Sequence, residues 1–191
     1  GSPLLANYQS AVIFPANLIL LLSKQFGWGL YVFGSTLTAA FDFYFFIRRH
    51  VISSWSRLIG SVIFATAGLM TTWVEFGTGV WAAAFFPILL FCIDKICLDQ
   101  KFNWLGGLSL ALTSLILAGH VQIDLYAIII IIAYSLFLRL NHPGQVKLSS
   151  LTTVAFGTIL GIGLSAIQLL PTFESFKVSI RSAETFSENF D

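Results

Sequence analysis

Charge is what this chain has least of. Lysine, arginine, aspartate and glutamate together make up 10% of its 191 residues, while 57% are hydrophobic. Soluble domains run at roughly 45–50% apolar residues, so a soluble domain is excluded and the mean hydropathy of +0.86 places the chain in a membrane. Cysteine is nearly absent. Cys92 and Cys97 stand alone, too few for a structural zinc site, and their position beside basic residues puts them in a reducing compartment where a disulfide is not expected. No basic stripe with interleaved aromatics is present, so nucleic acid is not an expected partner. A phosphate-binding loop, a serine or cysteine triad, and a haem or flavin motif are missing too; Gly161-Ile162-Gly163 is too short a match to count.

What is present is a series of apolar runs. A helix needs about 20 apolar residues to cross the hydrocarbon. Six stretches approach that: Trp28–Ile47, Leu58–Val74, Val80–Ile93, Trp104–Ala118, Ile123–Leu138 and Leu151–Leu170. Ala11–Leu22 is too short to span, is interrupted by Pro15 and Asn17, and is expected to form an interfacial helix. The fold class expected is therefore all-α, a polytopic transmembrane helix bundle of about six spans plus that interfacial helix. It reads as one incomplete domain: an outer loop over 1–26, a membrane region over 27–170, and a further outer segment over 171–191. The chain opens on glycine, its only methionine is Met70, and it stops in the polar stretch Ser182–Asp191. These ends read as those of an internal piece of a larger protein, with Gly1-Ser2 left open as native or not.

The polar punctuation between the runs alternates in kind. Arg48-Arg49-His50 with Arg57, Lys95 with Lys101, and Arg139 with Lys147 are basic. Asn7-Tyr8-Gln9-Ser10, Thr71-Thr72-Trp73-Val74-Glu75, Gly119-His120-Val121-Gln122 and Gln168 to Thr172 are polar and nearly uncharged. Basic loops stay in the cytoplasm. The alternation therefore sends the uncharged clusters to the extracytoplasmic face, together with Lys24, Lys177 and Arg181. Gly157, Gly161 and Ser165, spaced by four, predict a close helix–helix contact.

Within the uncharged clusters, His120 and Asp124 are four apart and would share a helix face, as a pair that could bind a metal or an acidic substrate. Two ligands fall short of the three or four a metal site requires. Gln122 could bond a ligand hydroxyl, and Glu174 with Arg181 suits a phosphate or sugar. Asp42, well inside a span, is expected to pair with Arg48 and Arg49.

The order of these clusters resembles a known family. Residues Gly1 to Pro15 are similar to the first large outer loop of the bacterial YfhO family, large polytopic proteins related to the GT-C glycosyltransferases. Gly119-His120-Val121-Gln122 resembles that family's Gly-His-Pro-Gln turn, with Val in place of Pro. Gly163 to Glu174, followed by Ser179 and Arg181, resembles its next outer boundary, and Tyr44 to Arg49 is a looser match to the inner end of an early helix. The resemblance implies transfer of a sugar from a polyprenyl-phosphate donor to an extracytoplasmic acceptor, such as an envelope glycan, in a bacterial cell membrane. It implies that a carboxylate base lies upstream of Gly1, which would leave this piece inactive alone. Asn7, Gln9, His120, Gln122, Glu174 and Arg181 are the expected substrate-binding residues. No cofactor is expected, with a divalent metal left open. Two alternatives are carried: a transporter or lipid flippase, which would show paired charges or broken helices near the midplane, and a non-catalytic scaffold, whose polar residues would scatter.

Overall fold

The computed structural model describes residues 4–22 and 26–178. Among them the chain is all helical. Two 3-10 turns, Tyr8–Ser10 and Pro15–Leu21, precede nine α-helices: α1 Gly27–Ile47, α2 Ser54–Ala65, α3 Gly68–Thr72, α4 Thr78–Ala84, α5 Phe86–Cys97, α6 Trp104–Leu117, α7 Val121–Asn141, α8 Leu148–Leu164 and α9 Ala166–Val178. The expected interfacial helix takes the form of the second 3-10 turn, which packs on α1 and leaves Leu18 and Leu21 exposed.

Among the described residues three helices are long and apolar enough to cross a membrane: Gly27–Ile47, Thr78–Cys97 (α4 and α5 together) and Val121–Asn141. The pair α8–α9, bent by 67°, would make a fourth. The bend falls at Ser165, whose hydroxyl donates back to the Gly161 carbonyl at 2.8 Å, a bond that competes with the helix ladder. The other two predicted segments are shorter. Leu58–Val74 is broken where Ala67 turns extended (ψ 158°) between α2 and α3. Trp104–Ala118 gives the 14-residue α6, which at 1.5 Å per residue reaches about 21 Å.

Burial separates the centre from the rim. The α4–α5 span is 72% buried within the protein, against 17% for α1 and 28% for α7. Small residues make this close packing feasible, as Ala82, Ala83 and Ala84 are almost wholly covered. The glycine stripe does the same between α6 and α8. A Cβ on Gly161 would lie 3.0 Å from the Ser109 carbonyl, and the Ser109 and Thr113 hydroxyls donate across to the Gly157 and Gly161 carbonyls at 2.8 and 3.1 Å. The outward faces of α1, α2 and α7 carry exposed Phe33, Phe41, Ile63, Ile129 and Ile132, as a surface in contact with lipid requires.

Candidate functional site

The two kinds of punctuation gather at opposite ends of the bundle. At the basic end Asp94, fully buried on α5, is the hub. It accepts from Arg49 Nε at 3.3 Å and from the Tyr134 hydroxyl at 2.8 Å, and lies 3.0 Å from His50 Nε2. The Arg49 fork also grips Asp99, with nitrogens 3.0 and 2.7 Å from its two oxygens, and Lys95 reaches the same carboxylate at 2.9 Å. Arg49 beside it holds the Asp99 carboxyl down to about 2, and the Arg49 guanidinium is in turn pushed up. Gln100 and Gln145 tie the remaining loops together through Ser150 and the Leu98 carbonyl. The expected pairing of Asp42 with Arg48 and Arg49 does not form. Arg49 is taken by Asp94 and Asp99, Arg48 sits over the Phe45 ring, and Asp42 makes no hydrogen bond or ion pair, lying instead beside Cys92. Both cysteines are buried and unpaired.

All four uncharged clusters meet at the other end. Gly119 turns the chain between α6 and α7 with φ +82°, and a Cβ there would sit 2.5 Å from the Tyr8 carbonyl oxygen. Only glycine combines that backbone with that approach. The segment before α1 is thereby held across the bundle end. The Tyr8 hydroxyl is hydrogen-bonded to Asp124 Oδ2 and lies 3.1 Å from the Ile116 carbonyl. Gln168, fully buried in α9, donates to the Leu5 carbonyl at 3.0 Å. Burial, with the Asp124 carboxylate beside it, pushes the Tyr8 phenol well above its ordinary value.

Two openings flank the start of α7. One is a largely enclosed polar cavity of about 200 Å³ lined by Gln9, Trp73, Phe76, Thr78 and His120. The Trp73 ring meets His120 edge-on at 5.2 Å and Phe76 at 5.6 Å. Gly77, with φ +65°, sets the turn that carries Phe76 and Thr78, and it packs so closely that a Cβ would lie 2.9 Å from the Trp28 and Tyr31 rings. His120 is 8% exposed, and neither of its ring nitrogens has a hydrogen-bond partner in the protein. Burial holds its imidazole below the ordinary value.

The second opening is an apolar furrow. A cavity of about 330 Å³ runs from Tyr8 and Asp124 past Leu125 and Ile128 to Phe173 on α9. A second of about 320 Å³ continues between α7 and α8 from Ile128 to Leu136. Ile128 lines both, so together they follow α7 from Val121 to Leu136, about 22 Å at the helical rise. Asp124 Oδ1 is buried and without a partner beside its polar end.

The predicted site residues distribute unevenly over this geometry. Gln9 and His120 share the polar cavity. Asn7 is exposed beside Tyr8 and contributes only its carbonyl, to Ser10. Gln122 is exposed and donates to Tyr126 at 2.7 Å, away from both openings. Glu174 is exposed on α9, on the side opposite the furrow-lining Thr172 and Phe176. Arg181, like Lys24, lies outside the described residues. His120 and Asp124 do not share a face: α7 begins only at Val121, so His120 sits before the helix and turns into the other opening. Among the described residues no group of three or more His, Cys, Asp or Glu side chains could hold a metal ion. Tyr8, Trp73 and Thr78 carry no assigned role in the sequence alone: the first two lie inside the polar clusters, and Thr78 lies in the tight polar loop 75–79 that follows the second apolar run.

No protein-family model, curated protein or solved structure matches the chain.

Proposed function

We propose that the chain is part of a membrane glycosyltransferase of the GT-C type, akin to the YfhO family, moving a sugar from a polyprenyl-phosphate donor to an extracytoplasmic acceptor such as an envelope glycan. The observation that carries the reading is the adjacency of a 22 Å apolar furrow and an enclosed polar cavity at one end of a membrane bundle. That adjacency suits an amphiphile: a long apolar chain along α7 and a hydroxylated group beside it.

In this reading α2–α3 and α6 also cross the bilayer, giving six spans, with the basic end in a bacterial cytoplasm and the polar end outside. Lys177, one turn beyond the furrow-lining Phe173, and Arg181 would hold the lipid phosphate. The acceptor hydroxyl attacks the anomeric carbon, the bond from that carbon to the phosphate oxygen breaks, and a carboxylate takes the hydroxyl proton. No divalent metal is assigned a role.

Photo-cross-linking tests the reading. A polyprenyl-phosphate hexose bearing a photoreactive isoprene, in proteoliposomes, should label Leu125, Ile132 and Ile159 along the furrow. Labelling confined to Phe33 and Ile63 on the far side, or equal furrow labelling by a photoreactive phospholipid, would overturn it.

A further inference from the structure

The polar cavity brings side chains with free hydrogen-bonding capacity together with aromatic surface. The Gln9 amide, the Thr78 hydroxyl and the His120 imidazole all line it, and none of the three side chains hydrogen-bonds to the protein. His120 is more than nine-tenths buried. Its ring nitrogens open only onto the cavity side of the protein and are available to a ligand there.

The chemistry of the lining selects the ligand. An amide, a hydroxyl and a neutral imidazole each both donate and accept, and that is the character of a sugar hydroxyl. Among the described residues no lysine, arginine, aspartate or glutamate lines the cavity, so a uronate, a phosphate or an ammonium would enter without a counter-charge from them. Burial keeps His120 itself neutral at neutral pH. Trp73 and Phe76 add an apolar wall against which the C–H face of a pyranose can lie. At about 200 Å³ the space is smaller than the roughly 300–1,000 Å³ of pockets for drug-sized ligands, which limits it to a single ring.

We propose that the cavity formed by Gln9, Trp73, Phe76, Thr78 and His120 binds one neutral sugar ring, stacked against Trp73 and hydrogen-bonded by Gln9, Thr78 and His120. This rests on the transferase reading in so far as the ring is the sugar being moved. It names the part of the molecule that recognises that sugar, and it confines the donor to an uncharged monosaccharide.

Saturation-transfer NMR on the purified protein in an amine-oxide detergent, which carries no sugar, provides the test. The panel is methyl glucoside, galactoside and mannoside, with methyl glucuronide, choline and sorbitol as contrasts. At least one hexoside should bind, and the other three should not. Trp73→Ala should weaken binding by about tenfold or more, and Trp73→Phe should retain most of it. Thr78→Ala and His120→Ala should each cost about two- to tenfold, the worth of one neutral hydrogen bond. Thr78→Ala keeps the test sound if Trp73→Ala loses its fold, because the Thr78 hydroxyl bonds nothing in the protein. Choline or the glucuronide binding as well as the hexoside would overturn the proposal, as would hexoside binding unmoved by Thr78→Ala. Furrow labelling by the prenyl donor without hexoside binding defeats this inference alone. Hexoside binding without furrow labelling defeats the transferase reading and leaves this one standing.

Discussion

At the basic end of the bundle the polar side chains are spent on one another: Asp94 and Asp99 between them occupy Arg49, His50, Lys95 and Tyr134. At the uncharged end the accounting is different. Tyr8 and Gln168 hold the segment before α1 in place, while Gln9, Thr78 and His120 are left with unused capacity around an open space. Both ends are rich in polar groups, so polarity alone does not separate an anchor from a site. What separates them is whether the polar side chains are taken up by one another, as around Asp94 and Asp99, or turn their free capacity toward an open space, as around His120.

The largest effect that would sharpen this contrast is expected at the hub. Asp94→Ala removes the buried partner of Arg49, His50 and Tyr134 and should cost about 3 kcal/mol in SDS-titrated unfolding, with hexoside binding in the surviving fold unchanged. Equal loss of both would break the division of labour. Gly119→Ala, forced to φ +82° with its Cβ against the Tyr8 carbonyl, should cost about 2 kcal/mol. Its signature is faster hydrogen exchange over residues 4–14 and weaker sugar binding. Tyr8→Phe, which leaves the Asp124 carboxylate without its donor, should cost about 1 kcal/mol, read by the same unfolding curve.

Acid should separate the two ends in order. His120 has a folded pKa below its ordinary 6.5, so its contribution is complete above that pH and is lost as pH falls beneath it. Asp99, held at about 2 against an ordinary 3.8, contributes fully above that ordinary value and loses its contribution only as pH falls towards 2. Hexoside binding, which uses His120, should therefore weaken between pH 7 and pH 5 (roughly the window between the two groups), while hydrogen exchange at the basic end stays unchanged. Loosening of the basic end over the same window would contradict the assignment. The smallest effect expected is that of Glu174→Gln, within about 0.5 kcal/mol and without change in hexoside binding, because Glu174 faces away from both openings.

Much of this organisation was legible before any coordinates. Charge is costly in a bilayer, so the basic residues and the uncharged clusters had to mark helix ends, and they sort to opposite ends. The glycine stripe predicts a close helix–helix contact because only small residues permit that approach; that α6 is the partner comes from the fold. Three features were not legible. The His120–Asp124 pair assumed a helix through both residues, but the positive φ of Gly119 delays α7 to Val121 and turns His120 away. Proximity along the chain pairs Asp42 with Arg49. The fold instead offers Asp94 and Asp99 from α5 and the loop after it, a tertiary contact no periodicity encodes. Thr78 and Trp73 join the cavity only because the span 58–74 breaks into α2 and α3 and a Gly77 turn follows, details set by local backbone geometry.

The account rests on the two ends facing opposite sides of a membrane with the ligand site outside. Gln9→Cys lies in the polar cavity, Gly144→Cys lies in open space at the basic end, and the native cysteines are buried. A membrane-impermeant maleimide added to intact cells should label Gln9→Cys, more slowly when a binding hexoside is present, and should reach Gly144→Cys only after permeabilisation. Labelling of Gly144→Cys in intact cells, or a Gln9→Cys rate indifferent to the sugar, would contradict it.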